Sequence, residues 1–374
     1  MPPNFPLQVL ISPLDWGLGH ATRCIPIIKA LKARGVTVII ASGGAQMALL
    51  QGEFPELEFV GIPGYGVRYS SKSGGLVPGL LFRIPGLLRS IRRENAWLEK
   101  FCRNRRIDAV ISDNRYGFYH KKIFSVFITH QLFIQSGLGN LVNRLLLRWN
   151  YFFIQRFSEC WVPDFENWYS LAGILSHPPR FPAIPVKYAG ILSRFQPGGK
   201  EIRNPLLILI SGPEPQRTEF ENKMLSELSF YKGSAVLMRG LPGGEEEKMI
   251  SNERVEIYNH LASGPLNDLM NISEAVICRS GYSTVMDLAR LHKKAVLIPT
   301  PGQPEQEWLG AYLHEKKWAL QVQQKAFNLE SCLKMISETE FGFPEFPDEL
   351  FPENLIDGFL NQLNSFHPSG YRRK

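Results

Sequence analysis

In this chain of 374 residues, the side chains able to do chemistry gather in a few short loops. One loop reads Pro13-Leu14-Asp15-Trp16-Gly17-Leu18-Gly19-His20-Ala21-Thr22-Arg23 and follows an apolar run. Gly17 and Gly19 permit tight turns and close backbone approach to a ligand. The helix that must open there favours an anion at its first turn. His20 adds an imidazole, the side chain best suited to take a proton from a hydroxyl or a water near neutral pH. A lone histidine can also be structural, but its place at the first strand–helix turn points to a base or a substrate contact. As a dinucleotide fingerprint the loop fails, since it lacks a third glycine and an acidic residue after the second strand.

Two further loops belong to the same half. Ser112-Asp113-Asn114-Arg115-Tyr116-Gly117 and Thr129-His130-Gln131 end apolar runs and place polar groups around one cleft, which suits acceptor binding. Asp113 fits a role in the chemistry and equally an N-cap. The densest signal comes later, in Cys278-Arg279-Ser280-Gly281-Tyr282-Ser283-Thr284-Val285-Met286-Asp287-Leu288. Small residues, hydroxyls and free N–H groups at the positive end of a helix are what a diphosphate needs. Asp287, about one turn inside, can accept from ribose hydroxyls. The next loop, Pro299 to Glu307, offers Glu305 and Gln306 to sugar hydroxyls.

Such loops must be held by strands. Short β-branched runs alternate with helical stretches, the rhythm of parallel βαβ units. Strands are expected at Leu7–Ser12, Val36–Ser42, Glu58–Ile62, Ile107–Ser112, Ile123–Thr129 and near Cys160–Val162. A second set is expected at Leu206–Ser211, Ala235–Met238, Val255–Tyr258, Ala275–Cys278, Ala295–Pro299 and Ala319–Val322. Between the sets lies Phe195-Gln196-Pro197-Gly198-Gly199-Lys200, a turn-rich linker. The expected fold is α/β: two doubly wound parallel sheets facing a central cleft, with domains 1–197 and 198–374 and the last helix packing back on the first. Low complexity is confined to Gly243–Glu247. In an open parallel sheet, ligands sit beyond the carboxyl ends of the strands, where all of these loops lie.

Two helices in the first half carry apolar stripes. In the segment 80–106, Leu87, Leu88, Ile91, Leu98 and Phe101 share a face, among eight basic and two acidic side chains. That pattern suits either a solvated basic face over a core stripe or an anionic membrane surface. The second stripe, within Leu138–Phe153, is expected to face the core. Residues 1–200 hold 24 Lys+Arg against 11 Asp+Glu, while the remainder is acidic, so the first half is suited to an anionic partner. Nucleic acid is not expected, because no recognised binding motif accompanies the charge. Five scattered cysteines without CxxC or a His/Cys cluster argue for reduced thiols and against a metal site. No signal peptide and no membrane-spanning run is apparent, so a cytoplasmic protein is expected, with a peripheral position on the inner face of the membrane as an extension.

At these residues the chain resembles the family 28 glycosyltransferases of the GT-B fold, a group that includes the peptidoglycan lipid-linked N-acetylglucosaminyltransferases. The likeness is close over Val255–Leu320, and in the first half rests on Gly17-Leu18-Gly19-His20. It implies a UDP-sugar as substrate, with no cofactor, lying in the second half. Ser280, Gly281, Ser283 and Thr284 would hold the diphosphate, Asp287 the ribose, Glu305 and Gln306 the sugar, and the backbone near His260 would border the base. His20 would reach the reaction centre from the other half. The loop Ser211-Gly212-Pro213-Glu214-Pro215-Gln216-Arg217 has a single glycine where the peptidoglycan enzyme is glycine-rich, so Arg217 is expected to serve the diphosphate. The implied reaction is inverting transfer to a glycan or lipid-linked acceptor. Leaving-group charge would fall to the helix near Ser283, aided by Arg217 or Arg279, without metal. The first loop is also similar to that of UDP-sugar hydrolases, so hydrolysis or epimerisation is the alternative, and non-catalytic nucleotide-sugar binding a further one.

Overall fold

The computed structural model describes residues 6–65, 76–199, 201, 204–241, 248–252, 254–346, 351 and 353–366. Lys200 of the expected linker and the acidic loop Gly243–Glu247 lie outside them, and within 80–106 side chains are described from Pro85 onward.

The first sheet comprises β1 (Gln8–Pro13), β2 (Thr37–Ser42), β3 (Glu58–Gly61), β4 (Ala109–Asp113), β5 (Phe124–Ile128), β6 (Glu159–Val162) and β7 (Val186–Tyr188), with β-branched and aromatic residues buried on both faces in the central strands β1, β4, β5 and β6. Among the described residues it has seven strands, all parallel, in the order β3-β2-β1-β4-β5-β6-β7. Its helices are α1 (Leu18–Ala33), α2 (Gly44–Glu53), α3 (Leu76–Asn104) and α4 (Asn140–Ile154).

The second sheet repeats the order. It comprises β8 (Asn204–Leu209), β9 (Ala235–Met238), β10 (Lys248–Asn252), β11 (Val255–Tyr258), β12 (Ser273–Cys278), β13 (Lys294–Leu297) and β14 (Leu320–Gln321). The order is β10-β11-β9-β8-β12-β13-β14, with β10 alone antiparallel among the described strands. Helices α5 (Gln216–Leu228), α6 (Ser263–Ile272), α7 (Tyr282–Arg290), α8 (Pro304–Glu315), α9 (Leu329–Glu338) and α10 (Glu353–Ser365) accompany it. Each sheet reverses its winding beside its first strand, between β1 and β4 and between β8 and β12, and ligands bind at such switch points. In the first, Pro13 and Asp113 are register partners, which puts the His20 loop beside Asp113.

One apolar cluster runs through both halves, from Val9, Ile25 and Ile28 to Val285, Leu288 and Leu297. In α10, Phe359 is buried and its ring lies 5.9 Å from Phe124 and 5.4 Å from Trp161 of the first half. No helix among the described residues is long and apolar enough to cross a membrane.

Of the two striped helices, α3 follows the reading of a solvated basic face over a core stripe, while α4 reverses its expectation. In α3, Ile91 and Leu98 are buried, while Arg89, Arg92 and Arg93 face outward. In α4 the expected core stripe is largely outside, with Leu141, Leu145 and Phe152 exposed. The cause is hydrogen bonding. Asn150 Nδ2 donates to the carbonyls of Gln131 (2.9 Å) and Leu132 (3.2 Å), and its Oδ1 accepts from the Tyr116 hydroxyl. Asn143 Oδ1 accepts from the backbone and hydroxyl of Ser136. Loop groups that leave water need partners, and they draw the asparagine face of α4 inward.

Candidate functional site

The first-half side of the site is a charged cluster at the end of β4. Asp113 is fully buried, and Arg23 clasps it with Nε on Oδ2 and Nη2 on Oδ1. His20 Nδ1 lies 2.9 Å from Asp113 Oδ1 and 2.9 Å from Arg23 Nη2. A guanidinium only donates and a carboxylate only accepts, so Nδ1 serves one of them at a time. When Nδ1 carries the proton it donates to Asp113, and Nε2 keeps its lone pair; this is the tautomer that can act as a base. Nε2 has no hydrogen bond among the described residues, and the imidazole is 15% exposed. Burial and the Arg23 guanidinium hold the His20 pKa below its ordinary value against the opposing pull of Asp113, so the ring is neutral at pH 7. Burial pushes the Asp113 carboxyl up, but Arg23 and His20 outweigh it and keep it ionised.

The loop after Asp113 is braced from below. Arg115 is buried against Glu94 of α3 and donates to the carbonyls of Pro13 (3.2 Å) and Pro63 (2.8 Å). Glu94 also accepts from the Tyr65 hydroxyl at 2.6 Å and from Gly117 N at 2.8 Å. Asp15 accepts from the Tyr65 backbone at 2.9 Å, which gives it a structural task in the same bracket.

The facing half presents the start of α7. Gly281 is its N-cap, and neither α7 nor α1 has a side-chain cap or an acidic residue in its first turn. The two helix starts abut, since Ser283 Oγ donates to Gly19 O at 3.0 Å and a Cβ on Gly19 would lie 2.5 Å from that Oγ. Gly17, at φ 97°, makes the turn that allows this approach. Two uncapped positive helix ends meeting at one point form a place that favours negative charge.

Contacts cross the cleft on either side of this point. His130 Nε2 lies 2.7 Å from Glu305 Oε1 in the first turn of α8, and His130 Nδ1 lies 3.3 Å from Arg23 Nη1. Burial raises the Glu305 carboxyl, yet His130, His20 and Arg23 together hold it below its ordinary value. The Tyr282 ring stacks on His130 at 4.0 Å, and its hydroxyl donates to Pro163 O at 2.6 Å. A continuous polar chain therefore runs from His20 through Asp113, Arg23 and His130 to Glu305.

Other expected site residues are placed less simply. Ser280 is buried and donates to Gln306 O at 2.7 Å, while the Gln306 side chain folds back to accept from Thr300 N at 2.9 Å. The Thr284 hydroxyl has no hydrogen bond among the described residues. Asp287 accepts from Ser193 Oγ at 2.5 Å, and burial raises its pKa to about 6 despite Arg194 nearby. Ser193 and Arg194 line a cleft of 730 Å³ between the halves, together with Lys29 and Arg290. Ser211 and Gly212 lie exposed after β8, and His260 follows β11 two residues on.

Two arginines do not do what their sequence context suggests. Arg217 pairs with Glu214 just before α5 at 2.6 Å and with Glu221 inside it at 2.5 Å, so its charge is already answered locally. Arg279 is buried, donates to the carbonyls of Ile298, Pro299 and Gln216, and lies 4.0 Å over the Phe220 ring. Burial lowers its pKa to about 10. It ties the loops after β8 and β13 together. What reading the sequence missed is Arg23, Tyr282 and Ser193. Arg23 was findable, because it lies three residues from His20 on one helix face. Ser193 has no local signal.

Residues 244–342 match the glycosyltransferase family 28 C-terminal domain. Over 136 residues the chain is 29% identical to the UDP-N-acetylglucosamine–N-acetylmuramyl-(pentapeptide) pyrophosphoryl-undecaprenol N-acetylglucosamine transferase of Haemophilus ducreyi. That match covers 35% of this chain and 38% of the relative, so well under half of either chain is aligned. Among solved structures, the glycosyltransferase SnogD from Streptomyces nogalater superposes with a TM-score of 0.62 at 17% identity, covering 96% of this chain and all of that one. Acinetobacter baumannii MurG superposes with a TM-score of 0.51 at 14% identity, covering 89% and 90%. The resemblance to family 28 is borne out in the second half, and the fold is GT-B.

Proposed function

We propose that this family 28-type GT-B chain moves a sugar, with inversion, from a UDP-sugar to a hydroxyl of a glycan or lipid-linked acceptor, with no metal ion. The observation that carries the reading is the His20–Asp113–Arg23 cluster of one half, set against the uncapped start of α7 in the other. His20 Nε2 takes the acceptor proton as the new bond to the anomeric carbon forms. The bond from that carbon to the diphosphate breaks on the opposite side, and UDP leaves with the negative charge. Asp113 then steadies the imidazolium, and Arg23 holds Asp113 in place. The start of α7, joined by that of α1, takes the leaving charge without the aid expected of Arg217 or Arg279.

The donor reading follows the matched domain. The Haemophilus relative, by its name, takes UDP-N-acetylglucosamine and an undecaprenol-linked acceptor, and this supports a UDP-sugar and a lipid-linked acceptor here. Ser280, Gly281, Ser283 and Thr284 would border the diphosphate and Glu305 the sugar. Asp287 would reach the ribose by sharing its carboxylate with Ser193.

The test is UDP release from a panel of UDP-sugars in EDTA, with and without lipid and glycan extracts. Acceptor-dependent release, lowered roughly 10²–10⁴-fold in His20→Ala, is expected. Equal release of free sugar without acceptor would make the protein a hydrolase. Donor binding with no turnover in any extract would make it a binding protein. Activity that vanishes in EDTA and returns with Mg²⁺ would overturn the metal-free account.

A further inference from the structure

We infer that the cleft where the chain crosses from the first half to the second binds a phosphorylated small molecule, at a site separate from the donor's. The inference goes beyond the transfer reading and does not depend on it. The cleft holds 730 Å³ and takes its walls from both halves. Lys29 comes from α1, Arg194 and Gln196 from the segment 191–196 that joins the sheets, and Arg290 from α7. The positive charge there is only partly answered. Lys29 is exposed and has no ion pair among the described residues. Arg290, the last residue of α7, donates among the described residues to the Phe195 carbonyl and the Gln196 side-chain oxygen, both neutral. Arg194 Nη1 donates to Ser263 Oγ at 2.8 Å, while its Nε is buried with no hydrogen-bond partner. Burial lowers the pKa of both guanidinium groups, and at Arg194 the nearby Asp287 and Glu53 offset this only in part. Arg34 and Glu353, also on the rim, pair with each other.

Cations on three separate elements call for an anion whose oxygens point in several directions. A tetrahedral phosphate supplies them, whereas a planar carboxylate matches a single guanidinium fork. A buried donor without a partner is costly, and a phosphate oxygen reaching Arg194 would remove that cost. Ile25, Pro26 and Ile191 line the same space, so the ligand carries an apolar part beside its phosphate. Position separates this site from the donor's. Lys29 and Arg290 lie about 12–13 Å along α1 and α7 from His20 and Tyr282. Leaving-group charge belongs at the starts of these helices. At their far ends the helix dipoles oppose an anion, so the three cations must outweigh them. Because both halves contribute, a bound phosphate would tie the halves together across the joining segment.

The full chain would be titrated by calorimetry with inorganic pyrophosphate, with no UDP-sugar or acceptor present, so the result does not depend on transfer. The variants are Lys29→Glu, Lys29→Ala/Arg290→Gln and, at the start of α7, Thr284→Val, with circular dichroism as the check on folding. The exposed position of Lys29 leaves the core intact, so Lys29→Glu decides the matter even where the double variant fails to fold. Wild type should bind pyrophosphate and melt higher in its presence. Lys29→Glu should lose at least roughly tenfold in affinity, as expected for a hydrogen-bonded charge, and Thr284→Val should keep the binding. Lys29→Glu binding like wild type would overturn the inference and leave Lys29 and Arg290 as complements to the helix ends. Loss of the binding in Thr284→Val would overturn it by assigning the anion to the donor site. Absence of binding in wild type, or equal affinity for citrate, would do the same.

Discussion

His130 Nε2 and Glu305 Oε1 meet at 2.7 Å although 175 positions separate them in the chain, one on the loop after β5 and the other in the first turn of α8. The contact joins the two halves at the carboxylate assigned to the donor sugar. Glu305→Ala should therefore weaken UDP-sugar binding about tenfold, the worth of a charge-assisted hydrogen bond, while UDP itself binds as before. Glu305→Gln keeps an acceptor oxygen and should recover most of the affinity. Calorimetry with both ligands decides this: equal losses for UDP and UDP-sugar would remove Glu305 from the sugar.

The protonation of His20 predicts a pH profile. Burial and Arg23 hold its pKa below the ordinary 6.5, so kcat/KM should climb with pH through a midpoint below that value and then level off. Replacing Arg23 with Gln removes the neighbouring cation, and the acid limb should move to higher pH; Arg23→Lys should move it less. An acid limb that stays in place in both variants would show that Arg23 does not govern the base.

Asp287 makes a stability prediction with a definite sign. Its folded pKa, about 6, exceeds the ordinary 3.8, so folding takes up a proton between those values. Its contribution is therefore full below pH 3.8 and is lost as pH rises through about 6. The shift corresponds to about 3 kcal/mol at most. Asp287→Asn, which stays neutral, should gain thermal stability over wild type at pH 8 and not at pH 4. An equal difference at both pH values would contradict the shift. The same variant should weaken UDP binding only where the charge is needed by the ribose.

The abutment of the two helix starts is open to a rescue experiment. A Cβ on Gly19 would lie 2.5 Å from Ser283 Oγ and 3.0 Å from its Cβ. Gly19→Ala should cost about 1–3 kcal/mol and lower activity, because it pushes the halves apart at the site of leaving-group charge. Adding Ser283→Gly should restore most of the lost stability. Failure of the double variant to melt higher than Gly19→Ala would show that the halves do not meet there in solution.

Much of this protein was legible before folding. Alternating β-branched runs and helical spacing are local properties, so the expected strands at Ala235–Met238 and Val255–Tyr258 coincide with β9 and β11. The glycine-histidine loop and the turn at Ser280–Thr284 were visible because a turn that opens a helix has a local residue signature. Tertiary structure decided what those signatures did not contain. Arg217 and Arg279 read as free cations until Glu214, Glu221 and three carbonyls claimed them. The stripe of α4 read as core until Asn143 and Asn150 turned inward to satisfy loop backbone. The link from His20 to Glu305 depends on residues 20, 23, 113, 130 and 305 arriving at one point. Hydrogen bonds and ion pairs between distant segments form only once two sheets are placed against each other, and no period or spacing along the chain records that placement.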